Sequence, residues 1–268
     1  MKFIRQFNFF FFFAAGLTIL MSCDSYNEVL RSDDHEEKKR YAATYFEKED
    51  YEKAVSLYEQ IYQRSPKNED GEISYFRIGK CYYFLEDYSM GNYFLSNFVV
   101  RFPYSELAEE AMYYSVVCAS KLSPNFSLDQ TETETAIGEV QRFVDSYPDS
   151  KYIEECNKLL NRLYGKLETK AFESVRLYSK MERYKAACAS SENFLLKYPV
   201  SLNREEAYYI LVKNSYQLAI NSVEEKKKER VDKAIERYLN FVAEFPNTTY
   251  LKEVKGYYSK LTKIVESI

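Results

Sequence analysis

Phe102-Pro103-Tyr104-Ser105, Tyr147-Pro148-Asp149-Ser150, Tyr198-Pro199-Val200-Ser201 and Phe245-Pro246-Asn247-Thr248 are four copies of one junction, and Ser65-Pro66 opens the series without the aromatic. The prolines lie 37, 45, 51 and 47 residues apart. Proline lacks an N–H and disfavours helix in the residue before it, so each one ends a helix. The hydroxyl residue that follows can cap the next helix. Spacings of this size are those of a 34-residue helix-turn-helix unit carrying linkers, insertions or longer helices.

The residues upstream of each proline fit the tetratricopeptide (TPR) pattern. Counting back from Pro66 gives Ala42, Tyr45, Tyr51, Ala54 and Tyr58; from Pro103, Tyr75, Ile78, Gly79, Tyr82, Tyr88 and Gly91. Pro199 is preceded by Tyr178, Tyr184 and Ala187. Ala136 and Phe143 precede Pro148, and Ala234, Tyr238 and Phe241 precede Pro246. Small residues belong where two helices cross closely, and the aromatics fill the gap to the next helix. The expected fold is all-α: an α-solenoid of about five TPR-like repeats sharing one core. Their expected bounds are 35–68, 72–105, 106–150, 151–201 and 203–249, with a capping helix at 250–268.

Composition agrees. The 268 residues include 27 Tyr and 19 Phe, no Trp, 7 Gly and 6 Pro, too few breakers for a many-stranded β protein. Polar insertions at 123–134 and 222–230 read as exposed loops or helix extensions. Residues 150–181, interrupted only by Gly165, read as one helix of ~45 Å joining repeats three and four as a strut.

The first 22 residues form a separate segment. Lys2 and Arg5 precede an apolar run from Phe9 to Met21, too short for the ~30 Å bilayer core and read as a secretory signal. Leu20-Met21-Ser22-Cys23 resembles the lipobox of bacterial lipoproteins, with Met21 where that family usually has a small residue. The resemblance implies cleavage before Cys23 and acylation of its sulfur. Loss of Lys2 and Arg5 takes the formal charge from -4 to -6. Asp24 leaves the choice between inner and outer membrane open. Residues 23–34 read as a lipidated flexible tether.

Catalytic chemistry finds little to work with. His35 is the only histidine, which excludes a Ser/His/Asp triad and His-rich metal sites, and no glycine-rich phosphate loop is present. Glu109-Glu110, Glu154-Glu155 and Glu205-Glu206 fall in first turns of helices, where they complement the helix dipole. Cys81, Cys118, Cys156 and Cys188 show no CxxC spacing, and the expected role is small buried residues. The expectation is a protein that is no enzyme and takes no cofactor, metal or nucleic acid. Binding should instead use the concave face, lined by the first helix of each repeat. The candidate groove residues are Glu36, Lys39, Phe46, Ile73, Phe76, Tyr83, Phe84 and Tyr113, whose aromatics would suit an extended or helical peptide or simply pack on neighbouring helices.

One stretch is more specific than a generic repeat. DQTETETAIGEVQRFVDSYPDSKY (129–152), followed by LNRLYGKLETKAFESVRLYSKMERYKAA (160–187), resembles the third repeat and long helix of the BamD (ComL/YfiO) family. With the lipobox and five repeats, the resemblance covers the whole mature chain. It implies an outer-membrane lipoprotein facing the periplasm, within the β-barrel assembly (BAM) complex. Its partners would be a BamA-like barrel subunit, docked on the last two repeats, and unfolded outer-membrane proteins. Ser190 stands where some relatives place a basic residue. Two other readings stay open: a TPR lipoprotein adaptor for pilus or secretin assembly, and a SusD-like glycan-binding lipoprotein, which a short Trp-free chain fits poorly.

Overall fold

A computed structural model describes residues 26–267. The signal segment and Cys23 lie outside the described residues. Residues 26–31 make a short helical turn, and eleven longer helices follow. They are α1 (His35–Glu47), α2 (Tyr51–Arg64), α3 (Glu69–Phe84), α4 (Tyr88–Arg101), α5 (Ala108–Leu122), α6 (Thr131–Ser146), α7 (Ile153–Lys180), α8 (Tyr184–Lys197), α9 (Arg204–Ile220), α10 (Glu224–Glu244) and α11 (Leu251–Ser267). No strand occurs among the described residues, and none of their helices is long and apolar enough to cross a membrane.

The junctions follow from their side chains. The aromatic before each proline lies one turn after a buried phenylalanine of the same helix: Phe98–Phe102, Phe143–Tyr147, Phe194–Tyr198 and Phe241–Phe245, with ring centroids 5.1, 5.4, 5.2 and 5.6 Å apart. Those four phenylalanines are 2% exposed or less, and burial of each stabilises by about 1.5–3 kcal/mol. The hydroxyl after the proline then does two things. Ser105, Ser150 and Ser201 accept from the N–H two residues on, at 3.0, 3.1 and 3.0 Å. Each donates its own proton to a glutamate of the preceding odd-numbered helix: Glu72 at 2.5 Å, Glu109 at 2.6 Å and Glu168 at 2.5 Å. The serine thus satisfies an orphan donor and ties two repeats together.

Helix crossings need small residues. A Cβ on Gly79 would stand 2.6 Å from Leu95 Cγ, inside van der Waals contact. Ala42, Ala54, Ala111, Ala136, Ala187 and Ala207 are fully buried. The tight turns after α1, α3 and α7 place Glu49, Glu86 and Glu182 at φ 61°, 60° and 56°. Asp50 N–H returns to Tyr45 C=O at 2.9 Å and Arg183 N–H to Tyr178 C=O at 3.0 Å, closing Schellman-type caps.

The chain divides into two compact units. Among the described residues, one comprises 26–124 and 130–163, the other 125–129 and 164–267, with the division falling inside α7. In the first, Val29 is 3% exposed and joins Ala42, Tyr45 and Tyr58 in the core, with the Tyr26 ring edge-on to Tyr45 at 5.5 Å. Residues 26–31, read above as part of a tether, are therefore packed helix. In the second, Lys170 Nζ donates to Leu128 C=O, which holds the 125–129 insertion to α7. There α11 closes the core with Val254 and Leu261, and with two stacked ring pairs, Tyr216–Tyr257 and Tyr238–Tyr258, both at 4.6 Å. Cys81, Cys118, Cys156 and Cys188 are buried free thiols. Burial pushes those of Cys81 and Cys118 up to about 12.

Candidate functional site

In the first unit, α1, α3 and α5 bring one row of side chains together. Asp70, Ile73, Arg77, Lys80 and Phe84 follow one another at alternating steps of three and four along α3, which places them on one helix face. At one end Asp70 meets α1. Its carboxylate accepts from Lys39 Nζ at 3.0 and 3.2 Å and lies 3.3 Å from His35 Nε2. The Lys39 hydrogen bond holds the Asp70 carboxyl below the usual carboxylate range. Lys39 is raised in turn, first by Glu36 at 2.8 Å and then by Asp70.

The middle of the row is aromatic and cationic. The Arg77 guanidinium lies 4.3 Å from the Phe46 ring centroid. Phe84 stacks on Tyr51 at 4.7 Å and meets Phe46 edge-on at 6.0 Å. Lys80, 7% exposed, pairs with Glu110 of α5 at 2.8 Å. Its ammonium sits 3.5 Å from the Tyr114 centroid and 5.5 Å from that of Phe84. Beyond, Tyr113 stacks on Tyr152 at 3.9 Å, and burial pushes its hydroxyl up to about 12. Next to this stack a depression of about 580 Å³ is edged by Glu106, Glu109, Glu110 and Asp149.

The structure sorts the eight candidate residues. Ile73 and Phe84 are 40% and 39% exposed and can touch a partner. Glu36 is solvated, while Lys39 and Phe46 are partly covered at the edge of the row. Phe76 is a correction: it is 4% exposed and packs on Phe98 at 5.6 Å, in the core rather than in the groove. Tyr83 is half-buried, edge-on to Tyr114 at 4.8 Å and Phe84 at 5.2 Å, and Tyr113 is committed to Tyr152. Arg77, Lys80 and Asp70 belong to the row and were not singled out. The three-four spacing on α3 is the signal that would have found them. The face is thus amphipathic, with exposed apolar groups between anchored cations, instead of broadly apolar. Among the described residues no group of His, Cys, Asp or Glu is arranged to hold a metal ion.

The family profile described as "YfiO: Outer membrane lipoprotein" matches residues 33–190 and 167–265. The chain belongs to the YfiO (BamD) family of outer membrane lipoproteins. The family is non-catalytic, so the chain is not an enzyme. A relative, the outer membrane protein assembly factor BamD of Caulobacter vibrioides, is 21% identical over 171 residues. The match takes in 64% of this chain and 56% of that protein, little more than half its length. Among solved structures, a TPR repeats protein from Bacteroides fragilis covers 87% of this chain and 100% of its own, at 13% identity and a TM-score of 0.39. A thermophilic TPR protein from Thermus thermophilus covers 85% and 99%, at 13% identity and a TM-score of 0.34. The helix pairs and their junctions give the described residues an all-helical, TPR-like architecture.

Proposed function

We propose that this chain is the lipoprotein subunit of a β-barrel outer-membrane protein assembly machinery. It would be a scaffold anchored through acylated Cys23 on the periplasmic face of the outer membrane. Its partners would be a BamA-like barrel subunit, docked on the last two repeats, and unfolded outer-membrane clients. The observation that carries this reading is the family match, which runs through nearly all the described residues. The groove row supports the client part. Exposed Ile73 and Phe84 offer apolar contact to alternate side chains of an extended segment. Arg77, stacked on Phe46 and with no carboxylate paired to it among the described residues, offers donors to its carbonyls or terminal carboxylate.

Two experiments test the two parts. Affinity isolation of the full chain from native membranes should bring down a BamA-like barrel; a secretin or pilus complex without one would refute the assembly reading. Client peptides should bind the Ile73→Ser/Phe84→Ser chain roughly tenfold more weakly or worse, since two apolar contacts are removed. Unchanged binding with an intact helical spectrum would exclude this groove.

A further inference from the structure

The second unit contains a pocket of about 340 Å³ among α8, α9 and α10, within the last two repeats, to which the reading above assigns no small ligand. Its cations are Lys185 from α8 and Lys226, Arg230, Lys233 and Arg237 from α10; only Glu192 and Glu229 oppose them. We propose that this pocket binds a phosphate group.

Arg237 is the core of the case. It is 9% exposed, and a guanidinium does not deprotonate in a protein. Its Nη1 donates to Ser215 Oγ at 2.7 Å and its Nη2 to Glu192 Oε1, while its buried Nε–H has no partner. Glu192 also faces Lys233 at 3.9 Å, so one carboxylate answers two cations. Arg230 is held by Ser222 Oγ at 2.7 Å, a neutral acceptor. Lys185 and Lys226 make no ion pair among the described residues. A buried cation left short of counter-charge is costly, and an incoming anion relieves that cost.

The donors select the shape of the anion. They converge from α8 and α10, so a ligand meets them from two sides at once. A planar carboxylate presents two oxygens in one plane, whereas a tetrahedral phosphate directs oxygens to both helices and its charge, about −1.5 to −2, answers much of the excess of five cations over two carboxylates. No aromatic ring lines the pocket, which gives a nucleotide base nothing to stack on. Free phosphate and the phosphate headgroup of a lipid share this chemistry.

The test uses isotopically labelled full chain in detergent and follows the Arg237 Nε–H resonance at constant ionic strength. Inorganic phosphate and a short-chain phosphatidic acid are titrated separately. A saturable shift is expected, weakened roughly tenfold in Lys185→Gln/Lys233→Gln because two charged donors are removed. The Lys252→Gln/Lys255→Gln control on the exposed face of α11 should respond like the parent. Tighter binding of phosphatidic acid would assign the site to a lipid headgroup, and tighter binding of phosphate to the free ion. No saturable shift with either ligand, or an undiminished response in the pocket variant, would overturn the proposal.

Discussion

The ammonium of Lys80 lies 3.5 Å from the centre of the Tyr114 ring, with Glu110 Oε1 2.8 Å away, so a cation on α3 is bound by two residues of α5 one turn apart. The lysine is nearly buried and the glutamate side chain 35% exposed. Removing the carboxylate alone strands the charge, while removing the charge alone leaves an exposed carboxylate. Glu110→Gln should therefore destabilise the chain by about 1–2 kcal/mol, less than a fully buried pair would lose. Lys80→Met, which keeps the apolar stem among the rings, should cost less. Urea denaturation of both variants checks the order, and equal losses would mean that the pair is only packing.

Glycine offers a contrast between crossing and surface. Gly79→Ala pushes a methyl group against Leu95 and should destabilise by about 1–3 kcal/mol. Gly138→Ala, in the exposed middle of α6 with nothing within 4 Å of the new Cβ, should stabilise by about 0.5–1 kcal/mol. The shift in denaturation midpoint measures each. A loss at Gly138 would show that its backbone is constrained by more than helix geometry.

The junction serine can be weighed by a double-mutant cycle. Ser150→Ala removes the bond to Glu109 and the cap on Tyr152 N–H; Glu109→Ala removes only the first. A coupling energy of about 0.5–1.5 kcal/mol is expected from the shared hydrogen bond. Strictly additive losses would reduce the serine to a local cap.

Glu139 gives a pH signature. Burial raises its carboxyl above the usual range, and the 3.5 Å contact from Asn92 Nδ2 offsets this only in part. A carboxyl whose folded value is raised contributes stability below its unfolded value, and that contribution is lost as pH rises through the folded one. Glu139→Gln should therefore raise the midpoint at pH 7 and leave it nearly unchanged at pH 4. A gain that is the same at both values would point to packing instead of charge.

How much of this was legible in the sequence depends on what fixes each feature. Pro103, Pro148, Pro199 and Pro246 dictate backbone conformation locally, and the aromatic before each packs one turn after a phenylalanine of its own helix, so the repeat pattern reads directly from the chain. The groove is less legible because neighbouring residues on a helix point about 100° apart. Phe76 and Tyr83 adjoin Arg77 and Phe84, and the core stripe interleaves with the groove stripe. The bond from Lys80 to α5 needs the distance between two helices, which repeat spacing does not supply. Residues 26–31 look polar, yet Tyr26 and Val29 suffice to dock one turn on Tyr45. The charge excess around Arg237 does carry a local signature, Lys226, Arg230, Lys233 and Arg237 at steps of four and three along α10, while its enclosure by α8 and α9 needs the fold.

The Ser105–Glu72, Ser150–Glu109 and Ser201–Glu168 bonds span 33, 41 and 33 residues of sequence, yet their lengths differ by only 0.1 Å. The eight extra residues between Glu109 and Ser150 therefore leave the fastening itself unchanged. Registration is set where the chain is pinned, and the arc between pins is free to lengthen. Descendants of such a chain could graft new surface onto the arcs without re-solving the fold.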